Sequence, residues 1–227
     1  MSAVSETIVR EFFELHGFFV RQQRKFVAPQ RREEEDIDFF AINPHPRAGD
    51  APLPFVLMSA DLARIARAMV VVKGWHTETF SPTLLANSPE IFRFLEPAVF
   101  QSAARAFGED GPLTKILVVP ALPQTPETRQ ESIDLLRGKG IDAVLLFHTL
   151  LADLIADTKA NRNYQKSDLR QTIRVFKNYD FFKDPQLELF KPGRARGALR
   201  IRRKTHRQPP AIPPEDQSGV NGSQGKE

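Results

Sequence analysis

Residues 69–76 read MVVVKGWH, in which three consecutive valines are followed by Lys73 and Gly74. Consecutive β-branched residues that end at a glycine favour a short strand. Alternate residues of a strand share one side, so Val71, Lys73 and Trp75 are expected to face the same way. An ammonium group is costly to bury without a partner. We therefore expect a carboxylate or an anionic ligand beside Lys73.

Residues 36–43 read DIDFFAIN and predict an apolar strand that Asp38 interrupts. Aspartate is disfavoured inside strands, which indicates a role for this carboxylate. If this strand pairs with the valine-rich one, Asp38 is the nearest strand-borne partner for Lys73. Asp36 shares the side of Asp38. Glu6 is a third candidate, although the helix dipole favours glutamate in the first turn of any helix.

Helices and strands alternate along the rest of the chain. Apolar periodicity, cap residues and Gly17 at a helix C′ position predict the boundaries. We predict helices at 4–15, 61–67, 88–107, 125–139, 149–160 and 166–176, and strands at 18–26, 37–42, 69–74, 115–122 and 141–147. The last two strands are continuously apolar, as in strands buried on both faces. This order predicts an α/β fold with a mixed central sheet flanked by helices.

The charge of the chain is unevenly distributed. Residues 191–227 hold nine of the 32 Lys and Arg but three of the 28 Asp and Glu, so residues 1–190 carry −2 of the total charge of +4. Low apolar content with proline and glycine predicts disorder at the C-terminal end. We predict one α/β domain at 1–190 and a basic, disordered tail at 191–227. The tail is either a polyanion-binding arm or a solubilising terminus.

Several classes of protein are disfavoured by the composition. The chain has no cysteine, which excludes a disulfide scaffold and a Cys-ligated zinc site. No signal-peptide pattern and no apolar run of membrane-spanning length is present, which predicts a soluble cytoplasmic protein without a membrane partner. P-loop, GxGxxG, HExxH and GxSxG motifs are missing, which argues against nucleotide-cofactor, zinc-protease and serine-hydrolase functions.

An ordered set of motifs resembles the PD-(D/E)xK nuclease superfamily, which includes Mrr-type restriction endonucleases and Holliday-junction resolvases. The set consists of Glu6 in the opening helix, GFFVRQQRKF at 17–26, DIDFFAIN at 36–43 and VVVKGWH at 70–76. The resemblance covers about residues 4–122. It implies a restriction-endonuclease-like core of one helix, three strands, a helix and a strand.

The resemblance also implies a function, namely a divalent-metal-dependent endonuclease acting on DNA, with RNA left open. Asp38 takes the place of the first metal-binding carboxylate, with Asp36 as the alternative. Lys73 takes the place of the motif lysine, and Glu6 that of a helix glutamate that some members place near the metal. Carboxylate oxygens would hold Mg²⁺ or Mn²⁺. The metal would activate a water, and the lysine would stabilise developing negative charge.

One position departs from the family pattern. The second motif carboxylate stands two residues before the lysine, where this chain has Val71. Valine cannot bind a metal, so either Glu6, Asp36 or Glu78 has taken the role or the site no longer cleaves. Glu78 would reach the site only if the chain turns after Gly74. The alternative function is a catalytically inactive nuclease-fold module that binds nucleic acid or another partner.

Other residues could contact nucleic acid. Trp75 and His76 could stack on a nucleotide, although a Trp-His pair more often serves packing. Four cations are spaced by four residues and would form a basic stripe on a continuous helix, or else a solvated helix face: Arg162, Lys166, Arg170 and Arg174. Asn163 and Tyr164 could break that helix. The aromatic residues of KNYDFFK at 177–183 are expected to close the core, and a stacking platform is the less favoured alternative. A homodimer that addresses two strands is also compatible with the resemblance.

Overall fold

The computed structural model describes residues 3–23, 37–49, 52–107 and 112–182. The chain divides into Met1–Phe182 and Lys183–Glu227, and all the elements below lie in the first part. Asp36 and the predicted tail at 191–227 lie outside the described residues. The strands are β1 (Phe19–Gln22), β2 (Phe39–Ile42), β3 (Arg67–Val72), β4 (Thr114–Val119) and β5 (Ala143–Leu146). The helices are α1 (Ala3–Leu15), α2 (Pro82–Asn87), α3 (Pro97–Phe107), α4 (Pro126–Gly138), α5 (Phe147–Asp157) and α6 (Asp168–Asn178).

The five strands form one mixed sheet in the order of the chain. β1, β2 and β3 pair antiparallel as a meander, whereas β3, β4 and β5 pair parallel. Parallel neighbours require a crossover connection, which α2 and α3 provide before β4 and α4 provides before β5. The predicted α/β class with a mixed sheet flanked by helices is confirmed.

Apolar cores lie on both faces of the sheet, which explains why its central strands are continuously apolar. Val70 and Val72 pack with residues of α1 and α5. Met69 and Val71 pack with residues of α2, α3 and α4. The alternation within β3 therefore divides consecutive apolar residues between two cores.

The end of α1 follows the predicted pattern. Gly17 has φ of +82°, in the left-handed region where glycine is favoured. The Phe18 amide donates to the Phe13 carbonyl at 3.0 Å, and the rings of the two residues meet edge to face at 5.2 Å. This Schellman motif turns the chain from α1 directly into β1.

The segment between β3 and β4 differs from the sequence prediction. A single helix over 88–107 is wrong, because the structure has α2, short 3₁₀ helices at Pro89–Ile91 and Arg93–Leu95, and then α3. Pro97 would lie inside the predicted helix, where it could not donate the required amide hydrogen bond. Proline is instead favoured in the first turn of a helix, and α3 begins at this residue. The predicted helix at 61–67 is a 3₁₀ helix, Ser59–Arg64.

The helices described here are each too short or too polar to traverse a lipid bilayer.

Candidate functional site

One end of the sheet brings together the start of α1 with the ends of neighbouring strands. Gln22 Nε2 at the end of β1 donates to Glu6 Oε2 in the first turn of α1 at 2.7 Å. The amide of Gln23 donates to the carbonyl of Asp38, just before β2, at 2.9 Å. β3 pairs with β2 and ends one residue before Lys73. We call Glu6, Gln22, Asp38, Val71 and Lys73 the strand-end site.

Asp38 has a structural role that explains its presence beside an apolar strand. Its side chain is buried, with 2% of the residue exposed. Its Oδ2 accepts a hydrogen bond from the Val72 amide at 2.7 Å, and its own amide donates to the Val70 carbonyl at 3.1 Å. A carboxylate that accepts from a backbone amide makes a strong, charge-assisted bond. Asp38 therefore joins β2 to the end of β3.

Val71 belongs to the apolar core. The pairing of β2 with β3 ends at Phe39 opposite Val70, and the Asp38 amide donates to the carbonyl of this same Val70. Val71 itself pairs with Leu117 of β4, and 1% of the residue is exposed. The position of the second motif carboxylate is thus filled by a packed apolar side chain.

Lys73 continues the sheet beyond the end of β3. Its amide donates to the Val118 carbonyl at 2.9 Å, which extends the pairing with β4. Its Nζ donates to the Glu90 carbonyl at 3.3 Å, and the side chain is only partly buried. Contact of this ammonium group with an anionic ligand stays a prediction.

The segment after Lys73 packs against the start of α1. A Cβ added to Gly74 would lie 2.5 Å from Ser5 Oγ, so glycine is required for this close approach. Ser5 Oγ in turn forms a 2.9 Å hydrogen bond with His76 Nε2, and the His76 ring meets Phe147 edge to face at 4.6 Å. Sequence reasoning missed Ser5, since a serine near the start of a helix carries no signal of a distant partner.

Trp75 and His76 both have intramolecular partners. The Trp75 ring stacks on Phe80 with a centroid distance of 5.7 Å and an interplanar angle of 28°, and the residue is partly buried. His76 is exposed but is tied to Ser5. Packing therefore accounts for Trp75, and contact of either residue with a nucleotide stays a prediction.

The carboxylates proposed to replace Val71 do not assemble a metal site among the described residues. Glu6 accepts from Gln22. Glu78 is exposed in the turn that its own amide closes by donating to the Trp75 carbonyl at 2.8 Å. Within residues 3–23, 37–49, 52–107 and 112–182, no group of three or more His, Asp or Glu is arranged to hold a metal ion. Asp36 lies outside these residues, so the two-carboxylate metal centre that the resemblance implies stays a prediction.

The predicted basic stripe is divided between a loop and a helix. α6 begins at Asp168, and Ser167 Oγ caps it by accepting from the Arg170 amide at 3.1 Å. Arg162 and Lys166 therefore lie before the helix, and a single continuous helix through all four cations is wrong. Both residues are exposed beside a surface pocket of about 570 Å³. Their contact with nucleic acid stays a prediction.

Arg170 joins three elements of the fold. Its side chain, 16% exposed, lies 3.6 Å from Glu11 Oε2 of α1 and 3.1 Å from Asp157 Oδ2 of α5. The guanidinium also lies over the Tyr164 ring at 5.5 Å. This residue is a link between helices.

Arg174 and Lys177 donate hydrogen bonds to the segment that follows α5. Arg174 Nε donates to the Ala160 carbonyl at 3.0 Å, and Lys177 Nζ donates to the Thr158 carbonyl at 2.6 Å. Cations stabilise the carbonyl end of a helix in this way. Each head group has further donors beyond the one used here.

Comparisons of this chain with protein-family models, curated proteins and solved structures found no match.

Proposed function

We propose that this chain is a nuclease-related protein that binds DNA at the strand-end site without cleaving it. The observation that carries the proposal is Val71, which is buried two residues before Lys73, at the position where the resemblance requires a second metal-binding carboxylate. Recognition of phosphate by Lys73 then remains, whereas the metal-dependent step does not.

Two features support descent from a PD-(D/E)xK nuclease. The order of α1, the β1–β3 meander, the helices and parallel β4 is the order that the resemblance implies. The elements that bear Glu6, Asp38 and Lys73 also meet at one end of the sheet. α1 packs on the face of Val70 and Val72 whereas Val71 packs on the opposite face, so this shared end supports the order of elements in a restriction-endonuclease-like core and not an assembled set of side chains.

The partners of the remaining groups support the loss of cleavage. Asp38 uses one carboxylate oxygen to accept the Val72 amide. Glu6 is engaged by Gln22. The carboxylates of Asp38 and Glu6 therefore serve intramolecular hydrogen bonds, and Val71 offers no metal ligand.

The second candidate is an active divalent-metal-dependent nuclease using Mg²⁺ or Mn²⁺. It is favoured by the retention of Asp38 and Lys73 at the same end of the sheet. In this candidate Asp36, which lies outside the described residues, supplies the carboxylate missing at Val71. Lys73 would then stabilise charge on the phosphate during cleavage.

Incubation of the full chain with supercoiled plasmid in Mg²⁺ or Mn²⁺ distinguishes the two candidates, with Lys73→Ala as the matched control. The proposal predicts retarded but uncut plasmid, weaker retardation at higher salt, and weaker binding by Lys73→Ala. Metal-dependent nicking that disappears in Lys73→Ala would establish the nuclease instead. A chain that neither retards nor cuts the plasmid would refute both candidates.

A further inference from the structure

The C-terminal end of α6 carries an exposed aromatic cluster, which we define as Phe176, Tyr179, Phe181 and Phe182. Tyr179 and Phe181 are 75% and 74% exposed, and the other two rings are also exposed. The expectation that KNYDFFK closes the core is therefore wrong. Single exposed apolar residues are ordinary, but contiguous exposed patches mark interaction sites.

The cluster is held in place by a built turn. Asp180 has φ of +60°. Among the described residues it is the only one other than glycine with a backbone in the left-handed region. The Phe181 amide donates to the Phe176 carbonyl at 3.0 Å, and the Asp180 amide donates to the Lys177 carbonyl at 3.1 Å. These are the two bonds of a Schellman motif, whose left-handed position usually belongs to glycine. Strain of this kind is commonly retained where it serves a function.

The turn fixes the rings relative to one another. Phe176 meets Phe181 at 5.7 Å and Phe182 at 6.0 Å between ring centroids, both edge to face. Edge-to-face contact holds a ring by its rim or one side and leaves other ring surface accessible. Phe181 therefore presents a fixed aromatic surface at low entropic cost, and Tyr179 lies exposed in the same turn.

The helix that bears the rings also bears two cations, whose head groups lie on the side that faces the end of α5. Arg174 and Lys177 lie within the last two turns of α6. Each donates to one carbonyl and retains donors that can meet a phosphate. Aromatic surfaces beside cations have the chemistry of single-stranded nucleic acid, because the bases stack on the rings while the phosphates meet the cations. A duplex offers these rings little, since its bases are already stacked inside.

We propose that the aromatic cluster is a stacking surface for single-stranded nucleic acid, with Tyr179 and Phe181 as the base-contacting residues. This inference rests on the proposed function only for the class of ligand. The surface is distinct from the strand-end site, whose residues lie on α1 and β1–β3 and their flanks. Loss of one stacked ring is expected to weaken binding roughly 5- to 150-fold.

Fluorescence anisotropy with a labelled 20-nucleotide oligo(dT) tests the proposal on the full chain. Oligo(dT) forms little structure of its own, so binding reports contacts with unpaired bases. Tyr179→Leu and Phe181→Leu keep an apolar side chain but remove the ring, so both should weaken binding at least fivefold. Phe19→Leu is the matched control, because Phe19 is a 69% exposed phenylalanine on β1, remote in sequence. It should bind oligo(dT) as the wild type does.

Two further measurements distinguish base stacking from duplex binding and from lipid binding. A labelled duplex of the same length should bind Tyr179→Leu and Phe181→Leu normally and Lys73→Ala weakly. Duplex binding therefore tests the strand-end site separately from the aromatic cluster. Vesicles of phosphatidylcholine and phosphatidylserine test a lipid partner. Wild-type affinity of both leucine variants for oligo(dT), absence of oligo(dT) binding by the wild type, or ring-dependent binding to vesicles alone would each overturn the proposal.

Discussion

Replacement of Arg170 by methionine is expected to destabilise the fold, because this arginine compensates a buried carboxylate. Glu11 and Arg170 have side chains that are 10% and 16% exposed, and 3.6 Å separates Glu11 Oε2 from Arg170 Nε. Methionine has a similar length but no charge, so the substitution leaves Glu11 without its cationic partner. The loss of Asp157 matters less, since that side chain is 44% exposed and screened by water.

The magnitude follows from these exposures. Removal of one partner from a buried ion pair costs about 3–5 kcal/mol. The 3.6 Å separation is long for a hydrogen bond, so we expect the lower end, about 3 kcal/mol. For a domain of this size the melting temperature should fall by about 6–12 °C. Urea unfolding followed by circular dichroism measures the change in the free energy of unfolding.

A second substitution tests the cause of this loss. Glu11→Gln removes the charge that Arg170→Met leaves uncompensated, so the double variant should be more stable than Arg170→Met alone. The predicted role of Arg170 is refuted if Arg170→Met changes the free energy of unfolding by less than about 0.5 kcal/mol, the ordinary effect of a surface substitution. Normal stability together with weaker DNA binding would return Arg170 to the phosphate-binding role predicted from the sequence.

Two other substitutions have expected outcomes in the same unfolding assay. Gly74→Ala should lower the free energy of unfolding by about 1–3 kcal/mol, because its Cβ would lie 2.5 Å from Ser5 Oγ. Gly138→Ala is the control, since a Cβ at this position meets nothing within 4 Å, and it should be neutral or stabilising. Asp38→Ala should cost about 1–3 kcal/mol because it leaves the buried Val72 amide without its acceptor. Asp38→Asn keeps an acceptor oxygen and should cost less, and equal costs for the two variants would show that this bond is unimportant.

Much of the fold was predictable because its signals are local. The continuous apolar runs in β4 and β5, and Gly17 after α1, each fix a structural feature within a few residues. The prediction of a single helix over 88–107 was wrong because Pro97 lies inside that range. A proline there ends one helical segment and begins another, as its missing amide requires.

The candidate site was predictable only in part. Asp38 was identified because aspartate is unusual beside an apolar strand, yet the bond it makes with Val72 needed the strand register to be known. The spacing of four residues assigned Arg170 to a stripe. Its partners lie on α1 and α5, and no local pattern reports contacts between helices so distant in sequence.

Titration of Mn²⁺ into the full chain, followed by electron paramagnetic resonance of the free ion, tests most directly whether the strand-end site has lost its metal. We attribute that loss to Val71, which stands in place of a carboxylate. The wild type should therefore bind Mn²⁺ no better than Asp38→Asn, the variant expected to keep the fold. A bound Mn²⁺ ion that disappears in Asp38→Asn would contradict this and establish a metal centre at Asp38.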